Sequence, residues 1–468
     1  MDACHLCQGT NLPTAQRRSV RTSTNRTLQP VRCFKTSEMG TSDRQLSSNL
    51  ESSAPRRPTG SASQQLLQAI RKQVRKETVP WFQGMLQPWL DGAPPPLTDT
   101  VPPEQLADFD SKFITVDGVR LHYKEAGSSG PGKPTVLLLH GLNGSTFSWR
   151  DVIQPLSQHG GIEGCRVIAF DRPPYGLSER PMTWPEGPEG NPYTSEAGAR
   201  YAEGLLKALG VQQALVVGHS AGALTAMELF KRNPRIISGF CFVAPALPSA
   251  SSSSRSSRSD GIGKSKDDDK KDSFIWRASL GQQLQRLYMR ALLQNENAGV
   301  NYIRRSLQKR RDEVALGKLQ VYADAGQQVQ QKVIEGYLRP MLADNWDRGS
   351  LYSYRAFSFP SDMPYEAITQ PVMFITGEKD GALTKGAKKV SELLQTEGNC
   401  KCEYAEYEGC GHVPMDEMPD KFMADLQRFV TDVASDRQPL PRGDTLTDRV
   451  DDAPLPLYPP SKTAPVQD

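Results

Sequence analysis

From Phe113 onward, short apolar runs alternate with longer stretches of amphipathic periodicity. Phe113-Ile114-Thr115-Val116, the dipeptide Asp117-Gly118 and residues 119–125 predict a β-hairpin, because Asp-Gly supplies the positive φ of a tight turn. Residues 135–140 form a continuous apolar run, the signature of a strand covered on both faces. Further strands are expected at 166–170, 214–218, 239–244, 372–376 and 402–407, and apolar positions at helical spacing predict helices at 149–156, 194–209, 221–232, 386–397 and 418–433. An antiparallel start followed by alternating strands and helices predicts an α/β protein with a mostly parallel central sheet and helices on both faces.

One connection is too long for a simple crossover. Between strands 6 and 7 the chain runs from 244 to 372. Its first part, 249–272, is Ser/Arg-rich and then Lys/Asp-rich, and reads as disordered. Its second part, 273–362, has helical character and many aromatics, among them Tyr337, Trp346, Tyr352 and Tyr354. A helical cap inserted between strands 6 and 7 is the expectation, since lids exclude water and shape a substrate pocket. Upstream, residues 65–76 place Leu66, Leu67, Ile70 and Val74 on one helical face, and Trp81, Phe82, Met85, Leu86, Trp89 and Leu90 follow. This segment, 65–90, is expected to pack on its own domain; peripheral membrane contact is the alternative. The predicted organisation is a leader and linker at 1–60, a helical extension at 61–105, core at 106–247, cap insertion at 248–369, core again at 370–434 and a Pro-rich tail at 435–468.

Composition narrows the class. The hydrophobic share of the 468 residues is 37%, and 38 glycines and 36 prolines point to a globular core diluted by unstructured segments. A net charge of +3 and the lack of a basic stripe interleaved with aromatics argue against a nucleic-acid partner. No apolar run approaches the roughly 18 residues a membrane span needs. From Met1 to Thr36 the sole acid is Asp2, among several arginines and many Ser and Thr residues. Such a leader fits an organelle transit peptide, and Val31-Arg32-Cys33 resembles a chloroplast cleavage neighbourhood, so plastid location is expected, with the cytoplasm otherwise. Cys4-His5-Leu6-Cys7 lacks a second ligand pair, so no metal site is assigned. Cys400, Cys402 and Cys410 are read as free buried thiols, with a redox pair as the alternative.

The chemistry centres on Gly218-His219-Ser220-Ala221-Gly222. The pentapeptide alone arises by chance in about one chain in six of this length. Here it lies between an apolar strand and an amphipathic helix, the setting that turns such a serine into a nucleophile. Six histidines could serve Ser220. His5 lies in the leader, His122 in an early strand, His159 in a loop, and His140 ends a strand in a structural position. His219 is expected to point away from its neighbour. His412 remains, in a Gly-rich loop after the last strand. Its carboxylate partner is Asp380, with Glu378 as the alternative. Oxyanion donors are expected from the N–H groups of Ala221 and Leu142.

In His140-Gly141, in the run from Phe170-Asp171-Arg172 to Ser178, in the turn at Ser220, in Gly377 to Asp380 and in Gly411-His412-Val413-Pro414, the chain resembles the α/β-hydrolase superfamily, in its one-domain capped branch. The resemblance covers roughly residues 113–433. It implies Ser220 as nucleophile, His412 as base, Asp380 as acid, Leu142 and Ala221 as oxyanion donors, and a structural turn for Asp171 and Arg172. Epoxide hydrolase and haloalkane dehalogenase branches are similar overall but need an aspartate where Ser220 stands. The expected activity is hydrolysis of a carboxylic ester on a small-molecule or lipid substrate, without metal or organic cofactor. Acyl transfer, C–C bond hydrolysis and a non-catalytic binding homologue are the alternatives.

Overall fold

The computed structural model describes residues 86–130, 132–158, 164–248, 280–315, 322–323, 331–360 and 363–435. The expected leader, the tail, the low-complexity stretch 249–272 and nearly all of the 65–90 segment lie outside these residues.

Eight strands form one sheet: β1 (Lys112–Val116), β2 (Val119–Ala126), β3 (Thr135–Leu139), β4 (Arg166–Phe170), β5 (Ala214–His219), β6 (Ile237–Val243), β7 (Val372–Gly377) and β8 (Cys402–Tyr407). Their order is β1-β2-β4-β3-β5-β6-β7-β8. β1 and β2 form the antiparallel hairpin, β2 pairs antiparallel with β4, and the remaining pairs are parallel. The hairpin turn places Asp117 and Gly118 at φ 49° and 77°.

Because β3 and β5 are covered on both faces, their side chains feed two cores alternately. Leu137, Leu139 and Val216 pack on one face, against α1 (Ser195–Ala208), α2 (Gly222–Arg232) and α7 (Ala382–Glu397) through Leu205, Met227 and Leu394. Val136, Leu138 and Val217 pack on the other, against Phe422, Leu426 and Phe429 of α8 (Pro419–Ser435). Each such buried side chain contributes about 1.5–3 kcal/mol relative to exposure. The helix expected over 149–156 is instead a turn at Thr146–Trp149 and a short helix at Ile153–Ser157, because Pro155 lacks an N–H and fits only a first helical turn. Cys400, Cys402 and Cys410 are free; Cys410 is buried, whereas Cys400 and Cys402 are half-buried.

Among the described residues, four α-helices stand between β6 and β7: α3 (Leu280–Gln294), α4 (Glu296–Ala315), α5 (Gln331–Leu338) and α6 (Trp346–Ala356). Val300, Ile303 and Leu351 give α4 and α6 a small core of their own. Residues 86–101 pack on this cap: Asn301 Nδ2 donates to the carbonyls of Pro88 and Gly92, Arg305 pairs with Asp91, and Val101 bridges to Ala343.

The parallel strands deliver the loops after β3, β5, β7 and β8 to one edge of the sheet. β3 sits where the strand order changes direction, with β4 on one side and β5 on the other, and such a crevice is where open α/β sheets bind ligands.

Candidate active site

The turn after β5 is built around Ser220, which sits at φ 51° in the left-handed region that non-glycine residues rarely adopt. Its neighbours make room. A Cβ on Gly222 would lie 2.3 Å from the Leu139 carbonyl oxygen, and one on Gly141 would lie 2.9 Å from the Ser220 Cβ. The Ser220 N–H donates to the Val243 carbonyl, and the Ser220 carbonyl accepts from the Ala223 and Ala246 N–H groups, so the strained turn is held from β6 and α2.

The structure brings three of the singled-out residues into one chain of hydrogen bonds. His412 Nε2 lies 3.0 Å from Ser220 Oγ, and His412 Nδ1 lies 2.8 Å from Asp380 Oδ2. With the carboxylate accepting from Nδ1–H, Nε2 is free to accept the serine proton. Of the two acids after β7, Asp380 reaches the imidazole. Glu378 turns away and accepts from the Gly409 N–H at 2.9 Å. The Lys379 N–H donates to the Cys410 carbonyl at 2.8 Å, which ties the acid loop to the histidine loop. The histidine loop is also gathered from within, since Glu417 accepts from the Gly411 and Val413 N–H groups.

The His219 ring packs 4.9 Å from the His412 ring, and its Nε2 donates to the His412 carbonyl at 2.9 Å. Burial, with the neighbouring His412 charge, pushes its pKa down to about 3. It is a neutral donor that fixes the backbone of the histidine loop. Adjacency to Ser220 does not by itself reveal this bond to a loop 193 residues along the chain. His140 is structural: its Nδ1 donates to the Gly141 carbonyl and its Nε2 accepts from the Arg172 N–H, with burial pushing its pKa down to about 4. Asp171 is buried and accepts from His122 Nδ1 and from the Thr146 and Leu177 N–H groups.

The Leu142 and Ala221 N–H groups face no protein acceptor among the described residues. The next residue, Asn143, has φ 58°, and its Nδ2 donates to Tyr354 Oη on α6 at 2.9 Å. Tyr175 Oη and Ser353 Oγ, 2.7 Å apart, make a second link from α6 to the core. On the opposite side, Asp416 accepts from Tyr337 at 2.8 Å and Tyr322 at 3.1 Å and pairs with Arg150 at 3.0 Å.

Over Ser220 lies a cavity of about 210 Å³ lined by Leu142, Tyr175, Tyr337, Met341, Trp346 and His412, among others. Among the described cap aromatics, Tyr352 and Tyr354 make hydrogen bonds with Glu296 and Asn143, and Tyr337 and Trp346 reach the cavity. Among the described residues, no cluster of His, Cys, Asp and Glu has the arrangement of a metal site, and no helix is long and apolar enough to cross a membrane.

A profile of the family described as alpha/beta hydrolase fold matches residues 134–419, and the chain belongs to that family. An uncharacterized hydrolase of Bacillus subtilis (strain 168), YugF, is 36% identical over 125 residues, 27% of this chain and 41% of that protein. Epoxide hydrolase A of Mycobacterium tuberculosis is 33% identical over 140 residues, 30% of this chain and 40% of its own length. The chain thus spans about two fifths of these two relatives. The solved structure of the epoxide hydrolase CorEH superposes with a TM-score of 0.50 at 20% identity, over 69% of this chain and 99% of that one, a likeness of fold.

Proposed function

We propose that the protein is a serine hydrolase that cleaves a carboxylic ester through an acyl-enzyme on Ser220. The observation that carries this reading is a serine on the strained turn after β5, 3.0 Å from an imidazole nitrogen whose other nitrogen meets a carboxylate. His412 Nε2 takes the Ser220 proton as Oγ attacks the ester carbonyl carbon. The carbonyl electron pair moves onto oxygen, where the Leu142 and Ala221 N–H groups stabilise it. The pair returns as the alcohol leaves with the proton held by His412. Water, deprotonated by His412, attacks the acyl-enzyme, and the acid departs as Ser220 regains its proton.

Similar proteins include ones named as epoxide hydrolases and, at 33% identity over 123 residues and 35% of its own length, a haloalkane dehalogenase of Mesorhizobium japonicum. Their reactions open bonds at saturated carbon. A serine attacking saturated carbon forms an ether, which has no carbonyl for water to attack and ends the cycle. At an acyl carbon the same serine forms an ester, which His412-activated water can clear. The residue at the turn therefore favours acyl chemistry.

A fluorophosphonate probe tests this directly. Labelling is expected at Ser220 in the folded protein and is expected to disappear in Ser220→Ala. Unlabelled Ser220 in folded protein overturns the reading. Across p-nitrophenyl esters, the 210 Å³ cavity predicts turnover of short acyl chains and a fall for long ones; a cavity of about 150 Å³ accepts benzene.

A further inference from the structure

Arg180 is 7% exposed and lines the cavity over Ser220. Buried cations are ordinarily paired, because desolvating a guanidinium without an anion is costly. Other shielded arginines of this fold obey the rule: Arg150 meets Asp416, Arg166 meets Glu125 and Arg304 meets Asp347. Arg172 meets no carboxylate among the described residues, but it lies over the Tyr175 ring at 5.2 Å and donates to the Tyr193 carbonyl.

Among the described residues, no carboxylate forms an ion pair with Arg180. Its partners are carbonyls: Nη2 donates to Gly176 at 2.6 Å and Pro340 at 3.3 Å, and Nη1 to Ser178 at 3.3 Å. Its Nε is buried and has no hydrogen-bond partner among the described residues. Burial pushes the guanidinium down to about 10, which still leaves it charged at neutral pH. The acids that act on it do so at longer range. Asp171 is committed to His122 and two backbone N–H groups. Asp344 lines a second cavity of about 290 Å³, which Arg180 also borders and which holds Glu104 and Glu179. That side repels an anion, whereas the described lining of the Ser220 cavity contains no acidic side chain. The stem is fixed as well: a Cβ on Gly349 of α6 would meet Arg180 Cγ and Cδ at 3.3 Å, so the cap presses the side chain into place.

We propose that Arg180 receives an anionic group of the substrate, so that the preferred ester carries a carboxylate on its acyl or alcohol part, as the hemiester of a dicarboxylic acid does. This rests on reading Ser220 as the acyl-transfer nucleophile, but the binding of the anion stands apart from turnover. A carboxylate supplies the hydrogen bonds that Nε and the remaining guanidinium N–H lack, and charge-assisted bonds in a water-poor site are the strong ones.

Calorimetry on the Ser220→Ala protein tests the binding without requiring catalysis. Hexanoate is expected to bind about 10- to 100-fold more tightly than hexanamide, its neutral isostere. Arg180→Met is expected to remove that difference, and Arg180→Lys to restore part of it. Equal affinities, no binding of hexanoate at millimolar concentration, or a preference that persists in folded Arg180→Met protein overturns the proposal. In wild-type protein, the p-nitrophenyl hemiester of glutaric acid is expected to exceed p-nitrophenyl valerate in kcat/KM by a similar factor. Fluorophosphonate labelling of Ser220 reports separately on the hydrolase reading, so the two can fail independently.

Discussion

Asp380→Asn probes the proposed mechanism at its most quantitative point. Asp380 Oδ2 lies 2.8 Å from His412 Nδ1, and both side chains are largely shielded, at 11% and 20% exposure. When His412 takes the Ser220 proton, an imidazolium forms beside that carboxylate. At an effective dielectric of about 20, unit charges at this separation attract by about 6 kcal/mol. The neutral amide loses nearly all of this. It can also present its NH₂ to Nδ1, which forces the proton onto Nε2 and blocks that nitrogen as a base. Since about 1.4 kcal/mol is tenfold in rate, a loss of about 10⁴-fold in kcat is expected, with KM little altered. Stopped-flow release of p-nitrophenol from a short-chain ester, alongside near-UV circular dichroism to verify the fold, measures it. A loss under about tenfold in folded protein would refute the reasoning, and Glu378 would then have to serve in place of Asp380.

Two further outcomes follow from contacts away from the reacting atoms. Tyr354→Phe removes the acceptor of the Asn143 amide and should loosen the Leu142 N–H, lowering kcat about tenfold while the protein stays folded; an unchanged kcat would detach the cap from the oxyanion loop. His140 and His219 have folded pKa values pushed down to about 4 and about 3, below the ordinary value of 6.5. The unfolded chain therefore binds more protons below pH 6.5, so the stability held by these neutral imidazoles is full above that pH and is lost as pH falls towards 4 and then 3. Denaturant titrations between pH 7 and 4 should show a loss of several kcal/mol, and His140→Asn should make that dependence shallower.

Much of this fold is written in single segments. Residues 136–139 and 214–217 are apolar throughout because both faces are covered, and the gap between β6 and β7 is too long for a crossover, so strands and insertion are readable from pattern alone. The strand ends also mark where Ser220, Asp380 and His412 emerge. What pattern does not carry is direction. Glu378 and Asp380 are two residues apart, and only the turn Glu378–Asp380 decides which faces the imidazole. Adjacency to Ser220 in the sequence likewise does not reveal that His219 bonds to the histidine loop. Arg180, between Glu179 and Pro181, reads as a polar loop position; its burial arises from α6 and the 339–342 turn, contributed from far along the chain.

The two hydrogen-bonded links from α6, Asn143 to Tyr354 and Tyr175 to Ser353, have a consequence for how such proteins diversify. An insertion joined to its core only through its two chain connections could be exchanged freely, changing which molecules enter while leaving the chemistry intact. Here the inserted helix fastens the loop that carries Leu142. A graft of a foreign cap would alter selectivity and turnover together unless it brought its own equivalents of Ser353 and Tyr354. Recombination at this site is thus restricted to insertions that carry a matching pair of hydroxyls, and directed evolution of substrate range would do better to vary the cavity wall at Leu307, Met341 and Trp346 than to replace the helix bundle.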